Sequence, residues 1–162
     1  KLDIIKIVSK SNRKLTSAIF NLALLSKREM RWDFPLISTT EGFSLDEPVY
    51  ALFEKNRLIG YVSYQKKKLR NTVTGNGESF FAWVLTDIYI INKERRKRKG
   101  ATLIKNSLMD LGESLNSIYF AIPLSKAFWS LLKSHNISKI NIFTAGGWDD
   151  NVPLKKIIYR DI

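Results

Sequence analysis

Residues 88–101 read IYIINKERRKRKGA and join a segment rich in β-branched and aromatic residues to one with helical periodicity. Between Lys93 and Lys99 the chain carries six cations and one anion, Glu94. A basic, glycine-terminated turn between a strand and a helix directs backbone N–H groups, the positive end of the helix dipole and side-chain charge to one place. We therefore expect this junction to bind a ligand that bears phosphate groups.

The segments before this junction predict a strand, a helix and three more strands. Apolar residues alternate imperfectly over 2–8, which favours a strand. Apolar residues then recur at helical spacing up to Met30, behind a cap at Ser11 or Asn12. Three further strands are predicted at 49–54, 58–64 and 80–91, with a loop over 31–48, a hairpin turn over 54–57 and a mobile connection over 66–77.

The segments after the junction alternate between helices and strands. Helical periodicity predicts a helix over 100–115, and a strand is expected at 117–122. A second helix is predicted from Pro123, followed by strands at 137–143 and 154–159. The order β-α-β-β-β-α-β-α-β-β predicts a mixed α/β sheet, in which the strand at 80–91 is central and covered on both faces because it is apolar at nearly every position.

Composition limits the classes of protein to consider. A chain of 162 residues that is 44% hydrophobic predicts a single ordered domain over 1–162. The lack of cysteine excludes disulfides and thiolate chemistry and favours a reducing compartment, the cytoplasm. Only one histidine, His135, is present and no spaced cluster of carboxylates accompanies it, so we expect no metal site. No apolar run reaches the roughly 20 residues that cross a bilayer.

The formal net charge of +12 predicts an anionic partner. Nucleic acid, a polyanionic cofactor, an acidic protein face and a membrane surface all fit this charge. A second basic cluster, Lys66-Lys67-Lys68 with Arg70, is expected on a loop. It either contacts phosphates of DNA or RNA or only keeps that loop soluble.

The junction resembles the coenzyme-binding motif of the GCN5-related N-acetyltransferases. The family pattern is a strand of the type Leu-Tyr-Val, four residues, then Arg-x-x-Gly-x-Gly and a helix. Here Ile88-Tyr89-Ile90 matches the strand, 91–94 the spacer and 95–100 the loop, without a gap. The resemblance covers most of the chain in element order, but its motif covers only 86–104 and, more loosely, 124–137.

The resemblance implies a single-domain, mostly antiparallel central sheet flanked by helices, and direct transfer of acetyl from acetyl-CoA to an amine within a ternary complex. Backbone amides of the loop would hold the coenzyme pyrophosphate, and the main chain of the strand would pair with the pantetheine arm and polarise the thioester. The implied cofactor-binding residues are Ile88, Tyr89, Ile90, Arg95, Arg96, Lys97, Arg98, Lys99, Gly100 and Ala101.

One residue departs from the motif, because Arg98 stands where the family has its first loop glycine. An arginine still offers its amide, but a positive φ is costly for it and its side chain crowds the phosphates. Either the added cations replace geometric fit with charge, or the loop is a solvated charge run or a basic localisation string.

Two catalytic groups are implied by the same resemblance. Asp87 lies where relatives carry a carboxylate that acts through water as general base, a role that requires burial to raise its pKa. Otherwise Asp87 pairs with a lysine or binds substrate. The family tyrosine that acts as general acid is absent from 127–137, where Leu131 or Leu132 falls at its spacing. The candidates that would compensate for it are Ser125, Ser130, Tyr89 and Tyr119, of which Ser125 is our assignment.

Several function classes stay open at this point. The first is an N-acetyltransferase whose acceptor is anionic or nucleic-acid-associated: a base, an aminoacyl-tRNA or a protein lysine. The second is a non-catalytic nucleic-acid-binding module on the same scaffold, and a related one is a DNA-modification enzyme with altered chemistry. The third is an acyltransferase that takes its acyl group from an acidic carrier protein.

Overall fold

The computed structural model describes residues 2–7, 13–30, 47–70, 79–121, 141–143 and 151–152. Its elements are β1 (Leu2–Ile7), α1 (Arg13–Met30), β2 (Val49–Glu54), β3 (Arg57–Arg70), β4 (Ser79–Ile90), a 3₁₀ turn (Asn92–Glu94), α2 (Lys99–Leu111), β5 (Tyr119–Ala121), β6 (Asn141–Phe143) and β7 (Asn151–Val152). They form two compact units: residues 1–64 with 86–112, and residues 65–85 with 113–162.

In the first unit the strands follow the order β1-β2-β3-β4. β1 and β2 are antiparallel, from the pair Leu2↔Glu54 to the pair Ile7↔Val49. β2 and β3 form an antiparallel hairpin, whose turn residues Lys55 and Asn56 have φ of 49° and 63°. Two consecutive positive φ angles are typical of the tight turns that match strand twist, so the predicted hairpin is confirmed.

The second unit contains the parallel part of the sheet. β4 pairs with β5 in parallel at Val84↔Tyr119 and Leu85↔Phe120, and β5 pairs in parallel with β6. β6 and β7 are antiparallel. Phe80 and Tyr119 lie with ring centroids 5.6 Å apart beside the buried Val84. The mixed α/β architecture predicted from the sequence is therefore confirmed.

The two helices of the first unit lie on opposite faces of its strands. On one face α1 buries Ile19, Leu22 and Ala23 against side chains of β2, β3 and β4. The alternate residues of β2 and β3 point the other way. There the Tyr50 hydroxyl donates to Asp110 of α2 at 2.6 Å, and the hydroxyls of Tyr64 and Ser107 are 2.6 Å apart. α2 also buries Leu103, Ile104 and Leu108, so apolar burial holds both helices and the hydroxyl contacts add to the register of α2.

Four details differ from the sequence expectation. β3 continues to Arg70, so Lys66, Lys67 and Lys68 lie in a strand and not on a loop. Their exposure alternates because successive strand side chains point to opposite faces, and a lysine stem can cover a sheet face while its charge stays in water. Phe81 is 69% exposed, so β4 is not covered on both faces at its start. α2 ends at Leu111 because Gly112, with φ 71°, caps it. A short strand, β7, was not predicted.

Other predicted segments lie partly or wholly outside the described residues. These are the helix from Pro123, the strand at 154–159, most of the strand at 137–143 and the end of the connection at 66–77.

Gly60 of β3 allows the end of β4 to lie close to it. A Cβ at this position would meet the carbonyl oxygen of Tyr89 at 2.5 Å and Cδ1 of Ile90 at 2.6 Å. Gly60→Ala is therefore expected to lower the free energy of unfolding by about 1–3 kcal/mol, the usual cost of overpacking. Urea denaturation measures this change.

Gly100→Ala provides the matched control for that substitution. Its Cβ would meet only Cγ1 of Ile90, at 3.8 Å, an ordinary contact. Alanine in a helix is more stable than glycine by roughly 0.5–1 kcal/mol, so this variant should be unchanged or stabilised. Equal unfolding free energies for Gly60→Ala and the wild type would contradict the close approach.

Candidate active site

The junction between β4 and α2 has the strand–turn–helix form that its sequence predicts. β4 ends at Ile90, and the amide of Ile91 donates to the carbonyl of Ile59 on β3 at 2.9 Å. Main-chain groups alternate in direction along a strand, so the carbonyl of Ile90 faces away from β3. After the 3₁₀ turn at Asn92–Glu94 the chain enters α2 at Lys99.

The loop between the turn and α2 contains two arginines in the left-handed region. Arg96 has φ 63°, and Arg98 has φ 59° and ψ 14°. This conformation costs a residue with a Cβ roughly 1–2 kcal/mol. At the position of the family glycine, Arg98 thus adopts a positive φ, a conformation that glycine accepts most readily.

The first turn of α2 presents unpaired donors. Arg98 is its N-cap residue and makes no side-chain capping hydrogen bond. The first bond of the helix runs from the Thr102 amide to the Arg98 carbonyl, at 3.1 Å. Within the described part of the chain, the amides of Lys99, Gly100 and Ala101 have no acceptor. Open N–H groups at the positive end of a helix form an anion-binding arrangement.

Lys99 lies at the centre of a group of charged side chains, here termed the Lys99 cluster. Its Nζ donates to Oε2 of Glu54 at 2.8 Å and to Oε2 of Glu94. Arg57 donates to Oε1 of Glu94 at 2.7 Å, and Lys97 lies 3.6 Å from Glu94. Lys99 is only 9% exposed. Its charge is thus paired within the protein, and its main-chain amide remains the candidate phosphate contact that the resemblance implies.

The cluster shifts the pKa values of Glu54, Glu94 and Lys99. The hydrogen bond from Lys99, with the one from Arg57, lowers the pKa of Glu94 to about 2. The Lys99 hydrogen bond also lowers the pKa of Glu54. In return, Glu54 and Glu94 raise the pKa of Lys99. All of these groups stay charged at neutral pH, so the loop remains tied to the β2–β3 hairpin.

Arg95 is exposed, but its side chain is likewise engaged by groups of the protein. Its Nε donates to the Ile90 carbonyl at 2.7 Å, its Nη2 donates to Glu29 of α1, and its guanidinium carbon lies 5.2 Å from the centroid of the Tyr89 ring. Its side chain therefore joins the loop to β4 and α1. The Ile90 carbonyl keeps one lone pair for a ligand. The other exposed cations of the junction, here termed the loop cations, are Lys93, Arg96, Lys97 and Arg98.

Asp87 has the environment that a general base requires. It is 8% exposed, and the Tyr61 hydroxyl donates to its Oδ2 at 2.5 Å. Burial raises the pKa of Asp87 to about 6, while hydrogen bonds from Tyr61 and the Ile88 amide act in the opposite direction. A carboxylate with this pKa is mostly ionised at neutral pH and still accepts a proton readily.

Sequence reasoning missed the polar groups around Asp87. Tyr61 of β3 also bonds to Ser26 of α1. Beside it, the Tyr89 hydroxyl donates to Glu29 at 2.8 Å, and burial with this bond raises the pKa of Tyr89 to about 12. Tyr89 is thus committed to Glu29 and is a poor candidate for the missing acid. Strand alternation allows Tyr61 and Asp87 to share a face, but only the β3–β4 register brings them together.

The other candidates are placed as follows. Ser125, Ser130, Leu131, Leu132 and His135 lie outside the described residues. Tyr119 belongs to the second unit, where burial raises its pKa. Among the residues with described positions, no cluster of histidine and carboxylate side chains suited to a metal is present. In that same part of the chain no helix combines the length and hydropathy needed to span a membrane.

Comparison with known proteins separates fold from sequence. No protein-family model and no curated protein matches the chain. Among solved structures, the xEco2 acetyltransferase domain bound to a CoA conjugate aligns with TM-score 0.63 and 12% identity, over 86% of this chain and 90% of its own. A predicted acetyltransferase with acetyl-CoA from Clostridium acetobutylicum gives 0.61 and 11%, over 86% and 91%.

The fold is that of the GCN5-related N-acetyltransferases. A ribosomal-protein-alanine N-acetyltransferase from Brucella melitensis biovar Abortus shares it as well, with TM-score 0.56 and 17% identity, over 85% of this chain and 92% of its own. The N-acetyltransferase fold that the motif predicted is confirmed. At these identities the likeness concerns the fold, so the chemistry of the site rests on the residues of this chain.

The buried Asp87 predicts a pH-dependent stability. Its folded pKa of about 6 lies above the ordinary value of 3.8, so its ionised form is disfavoured in the folded state. The resulting destabilisation is absent below pH 3.8, grows as the pH rises and is complete above about pH 6. Asp87→Asn removes this titration while its amide oxygen still accepts from Tyr61. The variant should gain up to about 3 kcal/mol relative to wild type between acid and neutral pH.

Urea denaturation of both proteins measures this difference. The pH series should extend from below the ordinary pKa of 3.8 to above the folded pKa of about 6. Parallel stability curves would contradict the assignment of a raised pKa to Asp87.

Proposed function

We propose that the chain is an acetyl-CoA-dependent N-acetyltransferase that transfers acetyl directly within a ternary complex, and that residues 1–162 act as one catalytic domain. The observation that carries the proposal is the set of open amides in the first turn of α2. This helix follows β4 after the 3₁₀ turn and the basic loop of the motif. Two solved structures with this fold carry a CoA conjugate and acetyl-CoA. An acetyl-CoA pyrophosphate is a suitable anion for such donors.

Coenzyme binding would use main chain more than side chains. The amides of Arg96–Ala101 receive the pyrophosphate, and the loop cations add charge around it. The main chain of Ile88 and Ile90 pairs with the peptide-like pantetheine arm in the manner of an added strand. Arg95 and Lys99 keep the loop in place, since their charges are paired with carboxylates of the protein.

In the proposed reaction Asp87 accepts a proton from the acceptor ammonium, through a water molecule. The neutral amine nitrogen then forms a bond to the thioester carbonyl carbon, and the C–S bond breaks with its electron pair going to the CoA thiolate. Donors on the Ile88–Ile90 main chain stabilise the developing oxyanion. Ser125 remains the proposed acid: it donates a proton to the thiolate and regains one from the nitrogen, which loses its surplus proton as the amide forms.

Thermal unfolding with and without acetyl-CoA tests coenzyme binding. A ligand at 100 times its dissociation constant adds about 2.7 kcal/mol of apparent stability.

Arg98→Glu keeps the loop amide and reverses one loop cation, so it should weaken acetyl-CoA binding by about tenfold, or about 1.4 kcal/mol. Lys105→Glu makes the same charge change at an exposed position further along α2 and should have little effect. Absence of any wild-type shift at millimolar acetyl-CoA would contradict the proposal.

The proposed acceptor is an amine on an anionic or nucleic-acid-associated substrate, such as a nucleic acid base, an aminoacyl-tRNA or a protein lysine. The net charge of +12 and the exposed loop cations support this choice. Labelled acetyl-CoA incubated with total nucleic acid or protein extract, followed by mass spectrometry of products, identifies the acceptor. The cytoplasmic location suggested by the lack of cysteine stays a prediction.

A second candidate function is a nucleic-acid-binding module without acetyl transfer, or a DNA-modification enzyme with altered chemistry. The exposure of Lys66 and Lys68 on β3, in addition to the loop cations, favours a polyanion. Binding of this kind weakens steeply with salt and does not respond to coenzyme. Transfer of label from acetyl-CoA to any acceptor would decide against the non-catalytic module.

A further inference from the structure

The loop holds a backbone shape that its own residues do not favour. Arg96 and Arg98 are both left-handed, and neither is glycine, asparagine or aspartate. Such conformations persist where the surrounding structure determines them. A loop that needs this shape to present its amides must therefore receive it from contacts elsewhere.

The Lys99 cluster fixes both ends of this loop. Glu94 ends the 3₁₀ turn and Lys99 begins α2, so their ion pair closes the segment that contains both left-handed arginines. The hairpin holds the same two residues from outside, through Arg57 on Glu94 and Glu54 on Lys99. Glu94 is 7% exposed and Lys99 9%.

We propose that the Glu94–Lys99 ion pair, held by Glu54 and Arg57 of the hairpin, presets the loop in its anion-binding conformation and so replaces the missing loop glycine. Lys99 is then a positioning residue and not a phosphate ligand. The consequence for coenzyme affinity rests on the proposed function, whereas the conformational part does not.

A purely stabilising role for the cluster leads to different expectations. Removing one partner of a buried ion pair destabilises a protein wherever the pair lies. Only the positioning role links that loss to ligand affinity through the population of the competent loop. The positioning role also predicts that glycine at residue 98 recovers the lost affinity. Glycine restores no charge contact, but it accepts a positive φ and so favours the competent loop conformation.

The experiment compares acetyl-CoA dissociation constants, measured by calorimetry below the unfolding transition of every variant. Lys99→Met should bind acetyl-CoA about tenfold more weakly, because the loop leaves its competent conformer for much of the time. Lys105→Met removes the same charge from an exposed site on α2 and should bind like the wild type. Arg98→Gly combined with Lys99→Met should bind within about threefold of Arg98→Gly alone.

The proposal is overturned by wild-type affinity in Lys99→Met, or by the same tenfold loss with and without Arg98→Gly. Should Lys99→Met fail to fold, Glu54→Gln replaces it, since its amide oxygen still accepts from Lys99 while the charge is gone. A smaller affinity loss that Arg98→Gly again removes supports the proposal, and an unchanged affinity overturns it.

A readout without ligand separates this inference from the proposed function. The amide of Thr102 donates to the Arg98 carbonyl in the first bond of α2, so its hydrogen exchange reports the loop junction directly. Exchange at Thr102 should be about tenfold faster in Lys99→Met than in Lys105→Met, and slow again after addition of Arg98→Gly. If wild type does not bind acetyl-CoA but exchange behaves in this way, the proposed function fails and the positioning role stands. Unchanged exchange overturns the positioning role.

Discussion

The contact of Lys99 with Glu54 and Glu94 is the interaction on which the candidate site depends. It joins three elements of the first unit: the β2–β3 hairpin, the 3₁₀ turn and the start of α2. Unlike a surface ion pair, it is largely removed from water, so its geometry is kept because each charge needs its partner. The open amides at the start of α2 follow a loop whose ends this contact holds.

Polar contacts also surround Asp87, on the side of the strands that α1 covers. The bond from Tyr61 to Asp87 joins β3 to β4. Glu29, near the end of α1, accepts from Tyr89 of β4 and from Arg95 of the loop. Burial of Asp87 destabilises the folded state at neutral pH and at the same time gives the carboxylate a pKa suited to proton transfer. This combination is expected of a group kept for reactivity more than for stability.

The similarity to N-acetyltransferases at 11–17% identity shows how little sequence the fold requires. Burial of apolar faces defines the sheet and its helices, and many side chains satisfy it. The proposed anion site sets a narrower requirement, because amides that bind one anion must point outwards together. Under the proposed positioning role, charge contacts in this chain meet that requirement at a position where the family motif has glycine.

Periodicity and local turn chemistry determined the strand–loop–helix junction, the hairpin and the position of Asp87 beside the motif, since these depend on residues close in sequence. Only the tertiary structure decided which charges of the basic stretch bond to distant carboxylates of the chain. Lys99 and Arg95 belong to the same cationic run as Arg96 and Arg98, yet they pair with Glu54 and Glu29, which lie 45 and 66 residues away. A charge run has no periodicity that separates paired from free members. The physical reason is that such pairing follows from distance in space, and strand register sets that distance.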